Sequence, residues 1–423
     1  MDLGPFPEAG GYAEAVDLDR SDPLSMFRAK FHFEDPDLIY LDGNSLGRLP
    51  VAAPPRLDQV QKAWGERLIR SWNEGWWDLQ LELGDRVAPL IGASPGEVII
   101  SDSTSVNLYK LAMAVLEASQ GRRKVVTDDT NFPTDIYVLR GAAEAMGGTL
   151  EVVASEGSSD PVTAIEAVVD DETAFVSLSQ TAFKTGYTYD LDVITEIAHR
   201  HGARVLWDLS HSVGVMPIDL NGSRTDLAVG CTYKYLNGGP GSPAFLFVRR
   251  DLQDSLQNPI RGWWGHARPF AFDLEFRPAT GIRRFHTGTM PILSLAAIEA
   301  GIDAVADAGI DRIRAKSESL TEFFVTQSED HLAPLGFELA SPRDASLRGS
   351  HVSLSHPEAW TIDQALIELG KVIPDFRAPD NLRFGLSPLY NTHLEAHTAV
   401  QRLRAIVQSG LHHGFEGREA TVT

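Results

Sequence analysis

Lys234 stands at the end of an apolar run, DLAVGCTY, and directly before a Gly/Pro-rich turn, YLNGGPG. Glycines there let a backbone approach a ligand closely. A lysine whose pKa is lowered by a nearby cation or by desolvation becomes a Schiff-base nucleophile. Asp208 ends a second apolar run, RVLWDLS, with His211 three residues on. A carboxylate at such a place is costly unless it meets a cation. A pyridinium N–H is one such cation, and pairing with it keeps an aromatic ring protonated as an electron sink. Ser101–Asn107, SDSTSVN, sits where a strand meets a helix. Free N–H groups there, with the hydroxyls of Ser103, Thr104 and Ser105, suit a phosphate at the positive end of a helix. Asn131–Asp135, NFPTD, offers Phe132 to stack on a ring face and Asp135 as a local acceptor.

Each feature alone also has a structural reading. Ser103–Ser105 are ordinary helix caps and Asp208 caps a turn. Asp135 is a first-turn residue, and Lys234 a snorkelling surface lysine. Their spacing favours chemistry. Asp208 and Lys234 are 26 residues apart, on successive strands, so one ring is held at its nitrogen by one and at its aldehyde carbon by the other. That pattern fits pyridoxal phosphate.

The elements that position these residues follow from hydrophobic periodicity. From Glu97 onward, short β-branched runs (EVIIS, KVVT, TLEVVAS, TAFVSLS, RVLWDLS, DLAVGCTY, AFLFVR) alternate with helical patterns. In the first helix Leu108, Leu111, Ala112, Val115 and Leu116 fall at i, i+3, i+4, i+7 and i+8. Continuous apolar strands between helices predict a mostly parallel sheet covered on both faces, with ligands at the carboxyl ends of its strands. Asp58 to about Leu90 reads as helical and rich in tryptophan. Beyond Leu293, helices near 293–308 and 311–330, strand candidates HVSLSH and NLRFGLS, and a last helix near 394–409 predict a smaller α+β domain. The expected division is an N-terminal segment, 1–50, packing with the small domain, a large cofactor-binding domain, 51–295, and a C-terminal small domain, 296–423.

The 423 residues carry a net charge of −21, which argues against nucleic acid or an anionic membrane as partner. With 43% hydrophobic and 22% charged residues the chain builds an ordinary globular core. One cysteine, Cys231, fits a reducing compartment, and the acidic N-terminus does not read as a signal peptide, so a cytoplasmic location is expected.

The ordered motifs YLDGNSLG (40–47), STSVN, NFPTD, FKTG (183–186), DLSHSVG, TYKYLNGGPG, GWWGH (262–266) and FHTGTMPI (285–292) resemble those of kynureninases, from about residue 27 to about residue 395. The resemblance implies the fold type I, aspartate-aminotransferase-like architecture of pyridoxal-phosphate enzymes, and a homodimer with active sites at the interface. It implies that Lys234 holds the cofactor covalently and later moves protons, that Asp208 pairs with the pyridine nitrogen, and that His211 lies beside the cofactor. Phe132 then stacks on the ring, Thr104, Ser105, Asp135 and Ser179 line the pocket, and Tyr233 bonds the phosphate. Trp263 and Thr289 match positions that the family takes across the subunit interface. Arg383 matches the arginine that receives the substrate α-carboxylate, a task suited to a planar guanidinium fork. Ser45, Trp72 and His266 fall where the family shapes the aryl-ketone end, and Tyr233 and His266 are the candidate oxyanion donors. Thr289 and Trp72 match the bacterial branch, which prefers kynurenine to its 3-hydroxy form. The implied reaction is hydrolysis of L-kynurenine to anthranilate and L-alanine in tryptophan catabolism. An aminotransferase or a cysteine desulfurase of the same fold is the nearest alternative, and a non-catalytic cofactor-binding regulator a distant one. No metal is expected.

Overall fold

A computed structural model describes residue 6, residues 9–155 and residues 160–417. Its centre is a seven-stranded sheet. In spatial order the strands are Val98–Ile100, Phe245–Val248, Leu227–Gly230, Arg204–Asp208, Thr173–Ser179, Lys124–Asp128 and Thr149–Val153. Only Phe245–Val248 runs antiparallel to its neighbours. The other pairings are parallel. Thr173–Ser179 is buried along its whole length, as its unbroken apolar pattern requires.

Helices cover the sheet because each carries an apolar face. In Thr104–Ala118 the five periodic residues, Leu108 to Leu116, are all buried. Ser103 caps this helix by accepting from the Val106 N–H. Full burial of each of the four Leu and Val side chains among those five stabilises by about 1.5–3 kcal/mol. The predicted helix over 58–90 is interrupted. Ala53–Arg67 and Leu79–Val87 are α-helical, with a 3₁₀ turn at Leu68–Glu74 between them. The reason is local: Leu68 takes a left-handed φ of 54° and Gly75 a φ of 125°, neither compatible with a continuous helix.

The C-terminal part holds a second core, with Leu320, Phe324, Leu366, Phe384 and Leu403 among its residues. Its antiparallel sheet runs Asp375–Arg377, Asn381–Gly385, His351–Ser355, Glu338–Leu339. The N-terminal chain joins it. Ile39 and Tyr40 pair in parallel with Val372 and Ile373, and Ile39 and Leu41 enter the same core. Asp19 accepts from the Leu394 N–H and from both the backbone and the ring of His393, at the start of helix His393–Gln408. Helix Ile292–Ala308 packs on the turn after Lys234 so closely that a Cβ on Gly301 would lie 1.9 Å from the Leu236 carbonyl. Among the described residues no helix is long and apolar enough to cross a membrane.

Candidate active site

The carboxyl ends of the parallel strands open on one cavity of about 360 Å³. Ten of the residues expected from the sequence line it: Ser45, Thr104, Ser105, Phe132, Asp135, Asp208, His211, Tyr233, Lys234 and Arg383. The sheet explains their meeting. Asp208 closes one strand, opposite Val229 of the next, and the chain leaves that next strand through Cys231 to reach Lys234. Gly47 lets the GNSLG segment lie against this turn. Its N–H donates to the Tyr233 carbonyl at 2.8 Å, and a Cβ there would meet the Lys234 carbonyl at 2.3 Å.

At one end of the cavity the buried Asp208 carboxylate accepts from the Ser210 N–H at 2.8 Å and the Ser210 hydroxyl at 2.6 Å. Asp135 lies against it. Burial, then the Asp208 charge, push the Asp135 pKa well above the usual carboxylate range. The Lys234 Nζ is 2.7 Å from His211 Nε2 and 5.9 Å from the centre of the Phe132 ring. Burial, then the Lys234 charge, hold the His211 pKa far below that of free imidazole, so the ring is neutral. A neutral His211 Nε2 is an acceptor for the ammonium. The start of helix Thr104–Ala118 presents Thr104 and Ser105 to the same cavity. Tyr233 keeps its phenolic proton, because the neighbouring Cys231 sulfur and then burial raise its pKa.

Arg383 also lines the cavity. It stands directly across from Asp375 in the strand register and ion-pairs with it, and Asp375 also pairs with Arg377. Ser45 donates to Asp375 at 2.9 Å and accepts from Arg383 at 3.3 Å. Arg383 also donates to the Phe183 carbonyl. Asn44, Thr134, Ser210 and Arg377 complete the lining. Asn44, Thr134 and Ser210 sit inside motifs that the sequence already singled out. Arg377 and Asp375 carried no such signal.

The other five expected residues do not line this cavity. Ser179 stands opposite Asp208 in register and donates to Asn131 Oδ1 at 2.7 Å, so it supports the NFPTD turn. Trp72 packs against Trp76 and Trp264. Trp263 is 40% exposed and touches Trp77 and Phe270. His266 turns inward within its own loop, accepting at Nδ1 from the Arg268 N–H. Thr289 follows Thr287, whose hydroxyl donates to Asp102 at 2.9 Å.

Do these residues fit pyridoxal phosphate? Asp135 Oδ2, His211 Nδ1 and Arg383 Nε are buried without a hydrogen-bond partner. Such atoms are costly unless a ligand meets them. With a carboxylate, hydroxyls at a helix N-terminus, an aromatic face and a lysine lining one cavity, the donor set suits a phosphorylated pyridine ring.

Comparison with known proteins decides the family. Residues 313–403 match the kynureninase C-terminal domain. The chain is 46% identical over 402 residues to the kynureninase of Burkholderia pseudomallei, covering 94% of this chain and 95% of that one. It is 44% identical to that of Pseudomonas fluorescens, covering 93% and 95%. The chain belongs to the kynureninase family. It is an enzyme of that type, a hydrolase acting on carbon–carbon bonds.

Solved structures agree on the fold. A cysteine desulfurase from Thermococcus onnurineus superposes with a TM-score of 0.75 at 19% identity, covering 93% of this chain and 98% of that one. The cystine C-S lyase C-DES superposes at 0.76 and 19% identity, covering 87% and 98%. Another C-DES structure carries glycine covalently linked to the PLP cofactor. The fold is therefore that of fold type I enzymes, as expected. The desulfurase alternative fails on its nucleophile. The one cysteine of this kynureninase-family chain, Cys231, is buried, and burial raises its thiol pKa. A reactive cysteine requires the opposite.

Proposed function

We propose that this chain binds pyridoxal 5′-phosphate in the 360 Å³ cavity and hydrolyses the Cβ–Cγ bond of L-kynurenine to anthranilate and L-alanine in tryptophan catabolism, and cleaves 3-hydroxykynurenine less well. The observation that carries this reading is the convergence of Lys234, Asp208 and Arg383 on one cavity. When bound, the cofactor supplies an electron sink for charge developing at the substrate Cα.

The chain's own groups divide the remaining work. Asp208, with Asp135 against it, would hold the pyridine N–H. Phe132 covers a ring face. Thr104, Ser105 and Tyr233 take the phosphate. Lys234 would hold the cofactor and, as a free amine, would move the α-proton at its Nζ. Neutral His211, 2.7 Å away, accepts a hydrogen bond from that nitrogen and orients it. Arg383 receives the α-carboxylate, and Ser45, beside it, closes the substrate end. Tyr233, a protonated phenol on the cavity wall, is the oxyanion donor that this arrangement favours. Trp72, Trp263, His266, Thr289 and Ser179 are assigned around this centre, with Trp263 and Thr289 acting across a homodimer interface. Phe270, Phe272 and Leu274 lie exposed on the segment that follows Trp263, and this apolar surface supports burial against a second copy. The division 1–50, 51–295 and 296–423 is proposed on the C-terminal core and on the pairing of Ile39 and Tyr40 with Val372 and Ile373, while Leu24, Phe27 and Phe31, and Ile298 to Ile313, pack into the core of the large sheet. A cytoplasmic location is proposed on the single cysteine.

The test mixes protein, pyridoxal phosphate and kynurenine and follows anthranilate fluorescence. Cofactor-loaded protein that releases no anthranilate would overturn the reading.

A further inference from the structure

Away from the cavity, Glu358, His412 and His413 bring three ligating side chains together. Glu358 Oε2 lies 3.4 Å from His412 Nε2, and Glu358 Oε1 lies 3.3 Å from His413 Nδ1. The ligating atoms of all three residues fall within 4.8 Å of one another. Glu416 Oε1, 3.6 Å from His413 Nδ1, stands at the rim as a further oxygen donor. In a tetrahedral site with bonds of about 2.0–2.1 Å, neighbouring ligand atoms are about 3.3 Å apart. The contacts from the two Glu358 oxygens, one to each imidazole, lie close to that edge.

The arrangement is also held in place. Glu358 occupies the N-cap position of helix Ala359–Glu368, yet its carboxylate makes no capping bond and faces the histidines instead. Its backbone N–H donates to His356 Nδ1 at 3.0 Å, and His356 Nε2 lies 3.2 Å from the Leu335 carbonyl. His356 thereby fixes the turn that carries Glu358. His412 is buried, and its ring packs on that of His413 with centroids 4.1 Å apart. None of these residues lines the catalytic cavity.

We propose that Glu358, His412 and His413 form a binding site for a divalent transition ion of the zinc class. Two imidazoles and one carboxylate select such an ion over calcium or magnesium, which take oxygen ligands. The ion fastens the 3₁₀ helix Leu411–Phe415 to the start of helix Ala359–Glu368, 54 positions earlier in the chain. The site is structural, so turnover does not depend on it.

The test uses cofactor-loaded, chelator-dialysed full-length enzyme titrated with Zn(II) and, separately, Co(II). Calorimetry and the visible d–d absorption of cobalt are the readouts. The expected result is one equivalent bound with a Kd of about 1 µM or tighter, and an intense cobalt spectrum of tetrahedral type. In His413→Ala and Glu358→Gln that equivalent weakens by at least about 100-fold, beyond what outer-shell changes cost, while kcat stays unchanged. His413 is surface-exposed, so its variant keeps the fold. No binding, or binding equally tight in both variants, overturns the proposal.

Discussion

Asp375 and Arg383 face each other across two antiparallel strands and ion-pair inside the cavity wall, each side chain only 1% exposed. The same carboxylate meets Arg377 and the Ser45 hydroxyl. Asp375 is thus the counter-ion of the guanidinium assigned to the substrate carboxylate. Breaking such a pair by removing one partner leaves an uncompensated buried charge, at a cost of about 3–5 kcal/mol. Asp375→Asn keeps the shape but loses the charge. We expect a KM for kynurenine raised by about tenfold, a smaller change in kcat, and a lower urea midpoint. Steady-state kinetics alongside urea unfolding check this. An unchanged KM would remove Asp375 from the positioning of Arg383.

Lys234 is the second test. Its Nζ, held 2.7 Å from a neutral His211, is the nitrogen assigned both to cofactor attachment and to proton movement. Lys234→Ala removes both. The visible absorbance of covalently held cofactor should disappear, and turnover should fall by at least about 10²–10⁴-fold, the usual contribution of a positioned acid–base group. Absorbance spectra and single-turnover anthranilate release read the two effects separately.

Much of this site was legible because its chemistry sits in runs of sequence. Lys234 after an apolar strand, Asp208 at the end of another, and the Ser103 cap all lie where periodicity predicts. Arg377 and Asp375 were not legible. They lie in a three-residue strand after Pro374, where a charged residue reads as turn rather than sheet. Only the register opposite Arg383 gives them meaning. Helix Ala359–Glu368 escaped notice for a related reason, since a short apolar run does not distinguish helix from strand. The placement of Trp72, Trp263, His266 and Thr289 rested on resemblance, because no strand end or hydrophobic period marks these four in the sequence.

Asp42 gives a pH prediction. Burial, then the Asp375 charge, raise its pKa to about 7, above its ordinary value of 3.8. The folded state therefore keeps a proton that the unfolded chain releases near pH 4. Its contribution to stability is fully present below that pH and is lost as pH rises through about 7. Asp363 acts in the same direction, raised to about 8 chiefly by burial. His286, lowered to about 3 chiefly by burial, acts oppositely, so stability increases with pH between about 3 and 6.5 on its account. Asp42→Asn isolates one member. Its unfolding free energy relative to the parent should improve steadily from pH 5 to pH 7.5. Urea titrations across that range read the difference, and a flat difference would contradict the assigned direction.

Lys110 supplies the last prediction. Its ammonium is fully buried, pairs with Asp102 at 2.8 Å and donates to the Phe285 carbonyl at 2.8 Å. Asp102, at a left-handed φ of 48°, begins the turn that presents Thr104 and Ser105, and it also accepts from the Thr287 hydroxyl. One ion pair therefore ties the proposed phosphate cradle to the segment carrying Thr289. Lys110→Met replaces the cation with an apolar chain of similar length and strands Asp102 without its counter-ion. The turn should loosen, because a strained backbone persists only where its surroundings hold it. We expect stability to fall by about 3–5 kcal/mol and the Kd for pyridoxal phosphate to rise by about tenfold, while bound enzyme retains most of its kcat. The double variant Lys110→Met/Asp102→Asn should recover part of the lost stability, since it removes the orphaned charge. Apoenzyme titration with cofactor, run beside urea unfolding of both variants, separates the electrostatic cost from the loss of the cradle.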